Sequence, residues 1–370
     1  MKLAFVFPPG LLSGRTLDFT NLLGDKRGTT GSEIVALTFP IEMALREHDV
    51  TLFVEKPNAS TYGPSVTLRE YSTLGSASEF NAVLAVCTGT DFDLFRTIDP
   101  KALRVVFMQV NGFEEAKPDF AEFVDLFISP SEDHIKSLSR WLIKPKKWIS
   151  IPNGCYPNDY TLGQKAPGRC VYLSSPDRGL HHVLQNWAEI KSAVPHAELR
   201  IFYFALQRWI DEWAIWNDKD RSRLHPFHQE QFRRSRTVND LLDQPGVTVV
   251  GGASRNQIGK ELSEAEILAF PADTISYTES FSCVTLESCA AGALPILMKC
   301  DAMASIYEGV CPMAEAKDAD GWTRLMIRAL TVPPWTDSYR KRARDFALSH
   351  AWPLLAERLE KLISERMAIK

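Results

Sequence analysis

No stretch of the 370-residue chain reaches the roughly 18 uninterrupted apolar residues that a membrane-crossing helix needs, so any membrane attachment has to be peripheral. The opening MKLAFVFPPGLL is broken by two prolines and a glycine, lacks a signal-peptide cleavage pattern, and reads as a first buried strand. An excess of positive charge is missing too. Lys and Arg total 42 against 46 Asp and Glu, for a net charge of −4, which gives no field for holding a nucleic-acid backbone. The seven cysteines form no C-x-x-C pair, which suits reduced thiols in the cytoplasm better than a disulfide framework. Cys283 and Cys289 are expected to be small packing residues. Neither opening strand is followed by G-x-G-x-x-G, which argues against a nicotinamide dehydrogenase. Internal repeats and low-complexity tracts are also lacking.

What is present is a series of short apolar runs. KLAFVF, DVTLFVE, NAVLAVC, LRVVFMQV, DLFISPS and KWISIPNG come first; RCVYLSS, ELRIFYF, GVTVVGG, EILAFP and ALPILMKC follow. Runs hydrophobic on both faces describe parallel strands covered by helices. Two sequential series, in a chain 45% hydrophobic, predict two doubly wound α/β sheets facing each other across a cleft, with ligands at the carboxyl ends of the strands. The expected domains are residues 1–155 and 165–345, with the Pro/Gly-rich stretch after Asn153 and Gly154 as linker. The first long helix is predicted to bury Ile34, Leu37, Ile41 and Leu45 on one stripe and to kink at Pro40. Leu355, Leu359 and Leu362 mark a last amphipathic helix within residues 350–370, begun by Pro353 and expected to pack back on the first domain.

The most informative segment is TESFSCVTLESCAAGALPIL. Glu279 and Glu287 stand eight positions apart in it, straddling the junction of the strand EILAFP and an Ala/Cys-rich helix ending at Gly292. Amides of Ser282, Cys283 and Val284 at such a helix start offer a site for phosphate oxygens. The two carboxylates can accept hydroxyls from two sugars flanking that phosphate, which describes a cradle for a nucleotide sugar. Arg178, after RCVYLSS, stands in a second strand-loop element. His225, His228 and Glu230 lack a fourth ligand, so no metal is expected. Trp209, Trp213 and Trp216 fall at helical spacing and are expected in the core. RWLIKPKKW is compatible with peripheral contact to an anionic membrane surface or acceptor.

In order along the chain, GSEIVALTFPIEMALREHDVTLF, FVDLFISPSEDH with ISIPNG, VYLSSPDRGLHHVL, TESFSCVTLESCAAGALPIL and SHAWPLLAERLEKLI resemble the retaining GT-B-fold glycosyltransferases, particularly glycosyltransferase family 4. The resemblance touches nearly the whole chain. It implies that Glu279 binds donor-sugar hydroxyls, Glu287 the ribose, and Arg178 the diphosphate, with Gly31 allowing close backbone approach and Phe281, Ser282, Cys283 and Ser174 at the donor. No metal or other cofactor is then required. The chain departs from the family pattern at three places. Leu173, Ser174 and Ser175 stand where a basic residue is usual, Ser282 replaces a glycine, and Gln109 or Asn111 lies where many relatives have a histidine.

The implied reaction moves a sugar, with retention, from a nucleoside-diphosphate donor to a hydroxyl of a glycan, a lipid-linked or a small-molecule acceptor, as in polysaccharide biosynthesis. The rival readings are a nucleotide-sugar epimerase or phosphorylase of the same fold, and a catalytically silent nucleotide-sugar-binding subunit.

Overall fold

The computed structural model describes residues 1–7, 17–26, 29–87, 93–111, 119–138, 147–214 and 225–370. Trp216 and residues 140–146 of RWLIKPKKW lie outside these. Chain contacts divide the protein into two compact units: residues 1–22, 29–154 and 350–370 in one, residues 23–28 and 155–349 in the other.

In the first unit, β1 (Lys2–Val6), β2 (Asp49–Val54), β3 (Thr61–Tyr62), β4 (Val66–Glu70), β5 (Ala82–Cys87), β6 (Leu103–Met108), β7 (Leu126–Ser129) and β8 (Trp148–Ser150) form one sheet. Its order is β3-β4-β2-β1-β5-β6-β7-β8. Every pair is parallel except β3 with β4. All the long apolar runs became strands, because parallel strands are covered on both faces and must be apolar throughout. The short β3 and β4 were not foreseen. They carry only Val66 and Leu68 as buried alternating residues, too few for a periodic signal.

Helix Gly31–Leu45 opens with a capping box, in which the Thr30 amide donates to Glu33 at 2.6 Å and the Glu33 amide to Thr30 Oγ1 at 3.3 Å. The helix runs through Pro40 to Leu45, so the proline does not end it. The predicted stripe needs correction. Leu45 is exposed, Ile34 and Ile41 are half-buried, and the buried set is Val35, Ala36, Leu37, Phe39, Pro40, Met43 and Ala44 with Glu33, Thr38 and Glu42. The helix is covered both by the sheet and by the last helix, Trp352–Ile369, so its apolar surface is broad rather than a single stripe. Trp352 meets Phe39 edge-on with 5.1 Å between ring centres, and Leu355, Leu359 and Leu362 of the last helix are buried.

In the second unit, β9 (Arg169–Tyr172), β10 (Glu198–Ile201), β11 (Val247–Val249), β12 (Ile267–Phe270), β13 (Leu294–Met298) and β14 (Met313–Ala314) form an all-parallel sheet ordered β11-β10-β9-β12-β13-β14. This is the doubly wound order, and its reversal point lies between β9 and β12. Trp187, Trp322, Tyr172 and Tyr307 are fully buried in the core. Each indole N–H finds a carbonyl, Trp187 that of Pro245 at 3.0 Å and Trp322 that of Ile296 at 2.9 Å.

The stretch after Gly154, expected to be a linker, is docked on this second unit. Lys165 Nζ donates to the carbonyls of Leu262, Ser263 and Ala291, and the Ala166 amide to that of Glu264 at 2.8 Å. Its polar composition gave no periodicity because it is fixed through backbone and lysine hydrogen bonds rather than an apolar face.

Candidate functional site

β9 and β12, the strands on either side of the reversal point, each deliver one functional side chain from the loop at their carboxyl end. After β9, the turn Pro176–Arg178 leads through Gly179 into helix Leu180–Ala193. Gly179 has φ +104°, and a Cβ there would lie 2.0 Å from the Pro271 carbonyl oxygen. Only glycine lets this turn lie flush on the β12 exit. After β12, a loop carries Glu279 to helix Cys283–Ala291. The two loops bring Arg178 Nη1 within 3.4 Å of Glu279 Oε1, with Asp177 3.5 Å from Arg178 Nε.

These contacts are ion pairs whose alignment falls short of hydrogen bonds. Arg178 Nε and Nη1, Asp177 Oδ1 and Thr278 Oγ1 are buried with no hydrogen-bond partner among the described residues. Native interiors seldom leave such groups unsatisfied, so a cluster of them calls for a specific explanation. Burial lifts the Glu279 carboxyl above the ordinary carboxylate range, and the Arg178 guanidinium pulls it back only in part. Burial also opposes the charge on Arg178, but Glu279 and Asp177 outweigh it and raise its pKa. The two shifts pull opposite ways for an ion pair. We take the guanidinium as charged throughout, since arginine does not deprotonate in proteins, and the carboxyl as the group that titrates.

Ser282 departs from the capping role open to a serine. Its backbone is left-handed, φ 66°, and it makes no side-chain cap bond; its hydroxyl instead meets Thr285 Oγ1 at 2.8 Å. A left-handed position favours glycine, which gives a physical reason for the glycine of the family pattern. Helix geometry leaves first-turn N–H groups without intrahelical acceptors, and the helix dipole favours an anion there. Cys283 is the first helical residue and is half-buried. Phe281 is 1% exposed and packs on Tyr307, so its ring anchors the loop in the core. Ser174 is half-buried at the β9 exit. Gly31 belongs to the other unit, as the first residue of its capped helix.

Glu287 is 4% exposed and already engaged. Arg255 grips it with two hydrogen bonds, Nη1 to Oε2 at 3.0 Å and Nη2 to Oε1. Each carboxylate oxygen keeps a further lone pair, so a hydroxyl can still be received. A cavity of about 580 Å³ opens beside Arg255, lined among others by Tyr160, Thr161, Asn256 and Ser263; neither Arg178 nor Glu279 lines it.

Three positions that sequence reasoning missed hold the site together. Arg234, 3% exposed, donates to the Asp177 carbonyl at 3.0 Å, to the Asp273 carbonyl, and to Asp273 Oδ2 at 3.0 Å, stitching the two loops. Asp301 binds the loop before Glu279, and Arg255 binds Glu287. No local pattern could have revealed them, since each lies more than 20 residues from its partner.

Among the described residues, only His181, His182 and Asp273 group their atoms closely enough for a metal. Asp273 Oδ2 there already accepts from His182 at 2.9 Å and from Arg234, whose fixed positive charge opposes a second cation. The His225 ring caps its helix by accepting the Phe227 amide, and Glu230 pairs with Arg233 and Arg234. Trp209 packs on the core and Trp213 against the His228 ring. Cys289 is buried with its Sγ 3.7 Å from that of Cys311, both as free thiols. None of the helices in the described residues is long and apolar enough to cross a membrane.

No family model matches the chain, nor does any curated protein. Solved structures do match over their whole length. Sucrose-phosphate synthase from Thermosynechococcus elongatus is 14% identical, covers 100% of both chains and has a TM-score of 0.69. AviGT4, a glycosyltransferase involved in avilamycin A biosynthesis, is 14% identical over 100% of this chain and 98% of its own, with a TM-score of 0.69. Anabaena HepE, crystallised with UDP and glucose, is 11% identical over 99% and 100%, with a TM-score of 0.67. The fold is therefore that of the GT-B glycosyltransferases, two parallel-sheet α/β units in one chain.

Proposed function

We propose that this protein is a retaining glycosyltransferase, of the family 4 kind, that moves a sugar from a nucleoside-diphosphate donor to a hydroxyl of a glycan, lipid-linked or small-molecule acceptor. The observation that carries this reading is the unsatisfied Arg178 beside Glu279, at the reversal point of a doubly wound sheet. A guanidinium with two buried nitrogens that have no hydrogen-bond partner is suited to the oxygens of a diphosphate. Glu279, next to it, is suited to hydroxyls of the sugar that the diphosphate carries. The full-length likeness to HepE, which binds UDP-glucose in its crystals, supports a donor of this class.

As the bond from the anomeric carbon to the phosphate oxygen breaks, charge develops on the departing diphosphate. Arg178 and the first turn of helix Cys283–Ala291 stabilise it without a metal. In front-face departure the leaving phosphate oxygen accepts the proton of the incoming hydroxyl, and the acceptor bonds the anomeric carbon on the face just vacated. Glu287 with Arg255 would hold the ribose. Ser174, Ser282 and Cys283 would complete the donor site.

A second reading, a nucleotide-sugar-binding subunit without turnover, is favoured by one feature. Gln109, near the position of the family histidine, is paired side chain to side chain with Asn153 in two 3.1 Å bonds, which commits one of its amide N–H groups and one oxygen lone pair. Incubation with labelled nucleotide sugars, with and without acceptor extract, separates the two readings. Transfer to acceptor with the anomeric configuration kept supports the enzyme. Tight binding with no transfer under any acceptor supports the subunit, and no binding of any nucleotide sugar contradicts both.

A further inference from the structure

Asp301 follows β13 and stands in the left-handed region, φ 46°, which glycine adopts freely and Asp only where its side chain is held by local hydrogen bonds. Its carboxylate accounts for that choice. Oδ2 accepts the amides of Thr278 and Glu279, each at 2.8 Å, and the Thr274 hydroxyl at 2.9 Å. The Ala302 amide returns a bond to the Glu279 carbonyl at 3.2 Å. The backbone of Glu279 is thus gripped on both sides by one two-residue segment, and a strained conformation is kept where an unstrained glycine would fit. Strain of this kind persists where the surroundings hold it and clusters at functional sites.

We propose that Asp301 is the positioning residue that sets Glu279 for the hydroxyls of a donor sugar. The inference rests on the sugar-binding reading of Glu279. Asp301 acts through the loop backbone and touches no reacting atom. Its charge has a second effect, because Asp301 and Asp177 both disfavour ionisation of Glu279 while Arg178 favours it. Cys300 and Tyr172 are the other titratable groups that feel this carboxylate.

Three substitutions separate the roles. Asp301→Gly relieves the backbone and removes the carboxylate. Asp301→Ala removes the carboxylate and keeps the strain. Asp301→Asn keeps an acceptor oxygen without the charge.

Amide hydrogen exchange on the full chain tests the clamp with no ligand. A hydrogen bond to a carboxylate is worth about 1.5 kcal/mol or more, so exchange at Thr278 and Glu279 should quicken about tenfold or more in the Gly and Ala variants and stay near wild type in Asn. Unchanged exchange in Asp301→Gly overturns the proposal.

Calorimetry then compares UDP-glucose with UDP, and GDP-mannose with GDP. The preference of the wild type for the sugar form over its bare diphosphate should fall about tenfold in Asp301→Gly. It should survive in Asp301→Asn, with its loss on acidification moved to lower pH, while affinity for the bare diphosphate stays constant throughout. Equal preference in wild type and Asp301→Gly refutes the positioning role. A wild type with no preference for any sugar form, its clamp intact by exchange, refutes the reading of Glu279 itself.

Discussion

Two arginine–glutamate pairs lie in the second unit, and they are built to opposite standards. Arg255 and Glu287 form a closed pair with two hydrogen bonds. Arg178 and Glu279 stand 3.4 Å apart with two guanidinium nitrogens left without a hydrogen bond. A closed pair is a structural element, since its partners satisfy each other. An open pair keeps unspent hydrogen-bonding capacity that a bound ligand can use, and that capacity costs stability until it is filled. The contrast separates a pair that satisfies itself from one with hydrogen-bonding capacity left over.

The largest expected effect follows from spoiling the open pair. Arg178→Met should lower transfer about 10²- to 10³-fold, as loss of one preorganised donor to a developing oxyanion does, with little change in melting temperature. Steady-state kinetics and a thermal melt on the same sample check this. A drop in melting temperature as deep as that of an Arg255 variant would erase the distinction between the pairs.

Spoiling the closed pair should act the other way. Arg255→Met leaves a buried carboxylate alone and is expected to cost about 3 kcal/mol of stability. Adding Glu287→Leu should restore most of it, because removing both charges removes the uncompensated one. Denaturant unfolding of the single and double variants measures the recovery.

Next in size is the turn that presents Arg178. Gly179→Ala meets the Pro271 carbonyl and a φ of +104°, which should cost about 2 kcal/mol or more. Unlike Arg178→Met, it should lower stability and transfer together.

The smallest effect is a pH dependence. The folded-state pKa of Glu279 is raised, so its contribution to stability is fully present below the unfolded pKa and is lost as pH rises through the folded one. At neutral pH the ionised group therefore costs stability, and Glu279→Gln should melt slightly higher than wild type. If ionised Glu279 receives sugar hydroxyls, affinity for the sugar portion falls as pH drops through that raised pKa, and Glu279→Gln abolishes the dependence. Melts and titrations from the acid range up to neutral pH test both signs.

The sequence disclosed the fold to the extent that the fold is made of apolar runs. Eleven strands lay in such runs, because a parallel strand must be apolar on both faces. β3 and β14 are two-residue edge elements without that requirement, and β4 buries only the alternating Val66 and Leu68. The buried stripe of helix Gly31–Leu45 was misread because covering on two sides erases amphipathic periodicity. At the site, Arg178 and Glu279 were legible as loop residues after strands, and the strand order brings them together. Their supports were not. Arg234, Asp301 and Arg255 reach the site from other elements across 39, 22 and 32 positions, a distance that local pattern does not encode. The Phe281 ring is buried against Tyr307, a partner 26 positions away that local pattern does not reveal.

The central claim is that Arg178 receives a nucleoside diphosphate. Isothermal titration of the intact protein with UDP, GDP and ADP, wild type beside Arg178→Met, tests it most directly. The account predicts saturable heat for at least one of them in the wild type and an affinity at least about tenfold weaker in the variant, the loss of charge-assisted hydrogen bonds. Equal affinity in the two proteins, or heat from none of the three, would contradict it.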